Sequence, residues 1–206
     1  MAKSITSEKI QLKNVWLSFP QLDRPKGFRK EDGTETEPQF SAAFLLDPSN
    51  KEHAAAIAKV KSEAARISKE FFTEGVPKAF SNPGCKDLCF GKGDDLDKVY
   101  DGYEGMFFIK AKSKSRVPVV GRRKSADGKF NPVAPGDAEW PYSGCMVNAS
   151  VTLWTQASHG RKAINGNLIA IQFVKQDKNF GGAASANPDQ EFEALEDGAD
   201  APDPFA

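Results

Sequence analysis

The sequence predicts a mainly β protein, a small antiparallel barrel of about five strands with one amphipathic α-helix and long loops. Three observations predict it. Five stretches place apolar residues at every second position. One stretch lengthens that period to three and four. The thirteen prolines and seventeen glycines gather between these stretches, where strands are joined by loops.

The elements follow in order. Residues 9–19, "KIQLKNVWLSF", alternate as Ile10 and Leu12, then Val15, Leu17 and Phe19, with a phase slip near Asn14 that reads as a bulge. A polar loop follows Pro20. "QFSAAFLLD" gives a second strand with Phe40, Ala42, Phe44 and Leu46 on one face. From "DPSNKEH" the residues Ile57, Val60, Ala64, Ile67 and Phe71 recur at helical steps, with Ser49 or Asn50 available as the cap and Gly75 as the stop. That stripe is core packing. Residues 75–105 read as loop. A third strand starts at Met106 in "MFFIKAKSKSRVPVV", a fourth is "CMVNASVTLW", and a fifth, "LIAIQFVK", turns Ile169, Ile171 and Phe173 to one side. A closed barrel leaves no long open edge, and the five-stranded OB-fold is the common solution. In the usual OB order the helix follows the third strand. Here it follows the second, so either a strand is hidden in residues 20–38 or 76–105, or the topology departs from the usual one.

From Gln176 the period is lost. We divide the chain into an OB-like domain, residues 1–178, and a disordered acidic tail, residues 179–206. The 28 bases and 28 acids of the 206-residue chain conceal an asymmetry. Seven carboxylates and no base occupy the last eighteen residues, so residues 1–188 carry +7 and the tail −7. A basic body favours a polyanion, and a detached acidic segment competes for the same surface. The start "MAKSITSEKI" lacks an apolar core of the signal type and no run suits a membrane span, so a cytoplasmic protein with no membrane partner is expected. Cys85, Cys89 and Cys145 are expected as reduced thiols. A zinc site drawing on them with His53 or His159 lacks a second paired spacing, so no metal and no cofactor is expected.

The chemistry concentrates in residues 108–130, which hold eight bases and one acid, Asp127. Lys110, Lys112, Lys114 and Arg116 fall at alternate positions, which in an extended strand puts all four on one face, about 7 Å apart. Arg122, Arg123 and Lys124 follow in the next loop. Two such lysines are an ordinary solvated face; four in strict alternation, with more behind them, call for a polyanion. The mixed-charge helix does not suit a duplex groove. Single strands need rings beside cations, and rings are available: Phe108 on the Lys110 face, Phe28 between Lys26 and Arg29 in "RPKGFRK", and Trp16 and Trp154 opposite the apolar sets of their strands. Two other readings use the same residues. One is a metal-dependent nuclease with carboxylates from "GDDLD" and Glu104; the other is a module that holds an acidic protein on the basic face. The nuclease reading lacks a supporting histidine, and no catalytic residues are assigned.

A basic OB-type body followed by an acidic, aromatic-tipped tail resembles the single-stranded-DNA-binding proteins of bacteria and tailed bacteriophages. "IQLKNVWLSFPQL" and "FSAAFLLDP" are similar to a phage group of this kind, and "DAPDPFA" is similar to the bacterial tip, except that Ala206 follows Phe205. The resemblance implies a non-enzymatic protein of the infected bacterial cytoplasm. It would bind single-stranded DNA with little sequence preference and protect replication or recombination intermediates. Its tail, through Asp197, Asp200, Asp203 and Phe205, would recruit replication or recombination proteins and compete with DNA.

Overall fold

The structure is a computed structural model that describes residues 3–27, 33–98, 100–158 and 161–180. Its strands are β1 (Ile10–Lys26), β2 (Gln39–Leu46), β3 (Phe90–Lys92), β4 (Phe107–Ser113), β5 (Val119–Lys124), β6 (Phe130–Pro132), β7 (Met146–Ser158) and β8 (Arg161–Lys175), with one α-helix, α1 (Lys51–Phe71). Five of them close on themselves in the order β4, β2, β1, β7, β8, through antiparallel pairs and one parallel contact of Lys112 with Asn167 that joins β8 back to β4. These are the five strands read from the sequence, arranged as an OB barrel. Gly166 permits the closure, because a Cβ there would run into the carbonyl of Lys110. The helix does stand between the second and third barrel strands, a departure from the usual order.

Three short strands lie outside the ring. The segment read as loop contains β3, which pairs with β4. The strand expected to run on from Met106 breaks after Ser113, and β5 resumes along β8 with β6 folded back on it. The eight-stranded sheet is therefore a five-stranded barrel with additions at its margins.

Three irregularities reset which side chains face inward. Asn14, at φ 53°, is the expected bulge and lies within the register shift between Leu12 and Val15. Phe19 introduces a second one. At φ 46° it leaves the strand alternation, so the ring read as core is 53% exposed. The bulge also admits Pro20, which lacks an N–H for the ladder, so β1 continues to Lys26 where a loop was expected. A third shift, in β8, places Leu168 in the core in place of Ile169.

The interior is Leu12, Val15, Leu17, Phe44, Ile109, Val147, Val151, Leu153 and Ile171, all at most 1% exposed. Each such side chain contributes about 1.5–3 kcal/mol by leaving water. Ile57, Val60, Ala64 and Ile67 of α1 join this core. Asn50 caps the helix, its side chain accepting from the N–H groups of Glu52 (2.9 Å) and His53 (3.2 Å).

Candidate nucleic-acid interface

On the outer faces of β1, β2 and β4 two adjoining hollows, of about 450 and 320 Å³, share Leu96, Tyr100 and Lys110. Together they form a trough. It is walled by six bases (Lys26, Lys86, Lys98, Lys110, Lys112 and Arg161) against two acids, Asp87 and Asp97. Both acids are engaged, Asp87 with Arg161 at 2.5 Å and Asp97 with Lys86 at 2.8 Å.

The floor is aromatic. Residues 93–106, the last part of the connection between α1 and β4, fold back over the sheet, and two hydrogen bonds close the segment on itself. Gly93 N donates to Met106 O (2.8 Å), and Gly105 N donates to Asp94 Oδ1 (2.9 Å). This lays Tyr103 and Leu96 over Leu45 and Phe108. Phe19, Tyr100, Tyr103 and Phe108 then form a chain of rings with centroids 5.2, 5.5 and 6.0 Å apart. Tyr103 and Phe108 are buried and form the base; Phe19 stands at the top, edge-on to Tyr100. Lys98 lies over the Tyr100 ring at 5.5 Å and Lys110 over Phe108 at 4.8 Å.

Lys110 is exposed, yet its ammonium lies over the Phe108 ring. Desolvation first, and the neighbouring Lys112 charge second, hold its pKa below the ordinary lysine value of 10.5. A phosphate placed there would relieve both. Cys89, whose carbonyl accepts from Lys110 N at 2.6 Å, is half-buried, and desolvation pushes its thiol pKa up to about 12. Burial likewise raises Cys145 to about 11, so both remain protonated thiols near neutrality.

Of the residues singled out in the sequence, Lys26, Phe108, Lys110 and Lys112 come together at this trough. Phe108 does share the Lys110 face, but at 5% exposure it is flooring and not an open platform. Lys114 and Arg116 do not continue the row, because β4 ends at Ser113. Lys114 pairs with Glu37 at 2.6 Å, and Arg116 lines a separate hollow beside Val117 and Trp140. Arg122, Arg123 and Lys124 lie in β5 and not in a loop, with Arg122 held by Glu139 at 2.8 Å.

Trp16 is half-buried. Its Nε1–H donates to Asp177 (2.9 Å) and Lys178 covers its ring at 4.9 Å, so residues 177–178 occupy the surface a base would need. Trp154 pairs with Asn165, itself a trough residue, one strand away from Lys112. Phe28 and Arg29, and the tail residues Asp197, Asp200, Asp203 and Phe205, lie outside the described residues. The acids of "GDDLD" serve the loop, with Asp94 accepting from Gly105 and Asp97 paired with Lys86. Sequence reasoning missed Phe19, Tyr100, Lys98, Arg161 and Asn165. The one signal for Phe19 was the proline after it, which disfavours helical backbone and marks an interruption.

Residues 8–202 match the family described as Enterobacter phage Enc34, ssDNA-binding protein. The chain belongs to this family. Three structures of the Enc34 single-stranded DNA-binding protein are similar to it. One is 26% identical, with a TM-score of 0.64, over 89% of this chain and 90% of that one. The complex with ssDNA is 29% identical, with a TM-score of 0.63, over 84% and 89%. A C-terminal truncation is 27% identical, with the same TM-score, over 84% and 88%. Protein p50 of Acyrthosiphon pisum secondary endosymbiont phage 1 is 30% identical over 190 residues, which is 91% of this chain and 94% of that protein. Membership in the Enc34 family accords with the OB barrel and with the phage group that the sequence resembles. Among the described residues no helix is long and apolar enough to cross a membrane.

Proposed function

We propose that this chain binds single-stranded DNA with little sequence preference in the trough between β1, β4 and the 93–106 segment. The observation that carries the reading is Phe19. A large apolar ring, 53% exposed, is held in left-handed backbone at the mouth of a cationic trough. That conformation costs an L-residue roughly 1–2 kcal/mol, and such strain gathers at functional sites. Phe19 and Tyr100 stack bases, while Lys26, Lys98, Lys110 and Lys112 neutralise phosphates. Membership in a family named for ssDNA binding, and the ssDNA complex of the Enc34 protein, support the same ligand.

In the infected cell this activity would protect replication or recombination intermediates. The acidic tail recruits partner proteins and competes with DNA for the trough. Its attachment point supports the competition: Phe180 packs on Gly102, between Tyr100 and Tyr103 in sequence, so the chain leaves the described body beside the trough. The test is a fluorescence titration of a labelled single strand and the matching duplex, with the full chain, a Lys110→Glu/Lys112→Glu variant and a chain ending at Phe180. The full chain is expected to prefer the single strand, the charge reversal to weaken binding at least tenfold, and the truncation to tighten it at low salt. Equal binding of single strand and duplex, or an idle charge reversal, refutes the trough as the site; an unchanged affinity on truncation refutes the competing tail.

A further inference from the structure

The β5–β6 hairpin carries the same chemistry a second time, away from the trough. Every residue from Arg122 to Pro132 is exposed. The hairpin presents Arg123, Lys124 and Lys129 with a single acid, Asp127, which braces the tip by accepting from Lys129 N and lies 3.8 Å from the Lys129 ammonium. Lys124 lies over the Phe130 ring at 5.0 Å. Phe130, 41% exposed, and Phe19 are the two exposed large aromatic side chains among the described residues. Each sits beside lysines.

The hairpin is preformed. Gly128 N donates to Ser125 O (2.9 Å), Ser125 N donates to Lys129 O (2.8 Å), and Gly128 takes φ 79°, the left-handed position of a three-residue hairpin loop. Its base is clamped by Glu139, which accepts from the backbone N–H of Arg122 (3.0 Å) and from its guanidinium (2.8 Å). Arg122 is thus committed to holding the hairpin.

Register fixes where the hairpin stands. β7 pairs along one edge of β8, leaving the other edge to β4 and then β5, both parallel to it. Lys112 lies opposite Asn167 and Val120 opposite Gln172, five residues on, or about 17 Å, and Lys124 is about 14 Å further. β5 therefore prolongs the line of β4, and a strand that fills only the trough stops short of it.

Building on the trough as the primary site, we propose that Arg123, Lys124, Lys129 and Phe130 form a second contact for the same single strand of nucleic acid. This contact engages it where it leaves the trough and lengthens the footprint beyond one barrel face. Three cations for phosphates and one ring for a base are the components, the arrangement that single-strand binders repeat along a groove.

The experiment compares a strand of about five nucleotides, within one OB-type site, with one of about thirty. The full chain is titrated beside an Arg123→Ala/Lys124→Ala/Phe130→Ala variant and a Lys110→Glu variant. The hairpin variant is expected to bind the short strand like the parent and the long strand at least tenfold more weakly. Its salt slope on the long strand should be shallower by about 1.4, at about 0.7 per phosphate contact. Lys110→Glu should weaken both lengths. A hairpin variant with unchanged long-strand affinity and slope overturns the proposal and leaves the hairpin for an acidic protein. Equal losses on both lengths overturn it too, by making the hairpin part of the trough. If Lys110→Glu has no effect on either length, it is the trough that fails. The three substituted side chains are exposed, and an unchanged melting temperature verifies the fold.

Discussion

Removing the ring of Phe19 separates function from stability at a single residue. Its side chain meets Tyr100 edge-on at 5.2 Å and Tyr103 at 6.2 Å and is otherwise exposed, while its backbone sits at φ 46°. Phe19→Gly loses the ring contact, worth about 0.5–1.5 kcal/mol, and loosens the unfolded chain by about 0.5–1 kcal/mol. It also releases left-handed strain of about 1–2 kcal/mol. These terms offset one another to within about 1 kcal/mol, a melting shift of about 2–4 °C for a chain this size. The loss of a stacking platform costs about 1–3 kcal/mol of binding, or roughly 5- to 150-fold in Kd. Phe19→Ala keeps the strain and loses the ring, so it should match glycine in affinity and fall below it in melting temperature. The assay pairs anisotropy titration of a labelled oligonucleotide with thermal denaturation. Parental affinity in both variants would refute the stacking role, and a melting loss well beyond the estimate in Phe19→Gly would show that the ring serves the fold.

Other predictions concern charge and closure. With one phosphate at each of Lys26, Lys98, Lys110 and Lys112, the log–log salt slope should be about −3, and Lys110→Gln/Lys112→Gln should reduce it to about −1.4. Because the Lys110 pKa lies below 10.5 in the free protein and a bound phosphate raises it, affinity should fall as pH climbs through that lowered value, and Lys110→Arg should move the fall to higher pH. Folding runs the other way: below the lowered pKa both states hold the proton and the desolvation cost is complete, and between it and the unfolded value the unfolded chain binds more protons, so this contribution to stability rises with pH. A denaturation series over alkaline pH, compared with Lys110→Gln, measures it. Gly166→Ala should cost about 1–3 kcal/mol in urea denaturation, since its methyl group meets the Lys110 carbonyl where the barrel closes.

The five barrel strands and the helix were legible in the sequence because side-chain period follows backbone geometry, and a barrel with one buried face imposes that period on each strand. The bulge at Asn14 was legible for the same reason, as a break in period. The cap could likewise be narrowed to Ser49 or Asn50, and the cations Lys110 and Lys112 placed, by counting along the chain. Contacts between distant segments could not. Lys114 and Arg116 kept the alternation in sequence and lost it in space, because β4 stops where β8 accepts it and β5 starts afresh. The Asp127-Gly128 pair was a hairpin signal that the charge count obscured. Phe19 read as core because alternation assumes extended backbone, and one residue at φ 46° reverses the faces. Tyr100 and Lys98 reached the trough through a connection with no period of its own, closed on itself by the Gly105–Asp94 and Gly93–Met106 hydrogen bonds. Local pattern thus determined which elements form and which side chains are charged or apolar. Tertiary structure decided which rings and cations share a trough, because that depends on register, bulges and loop return, which no short window of sequence contains.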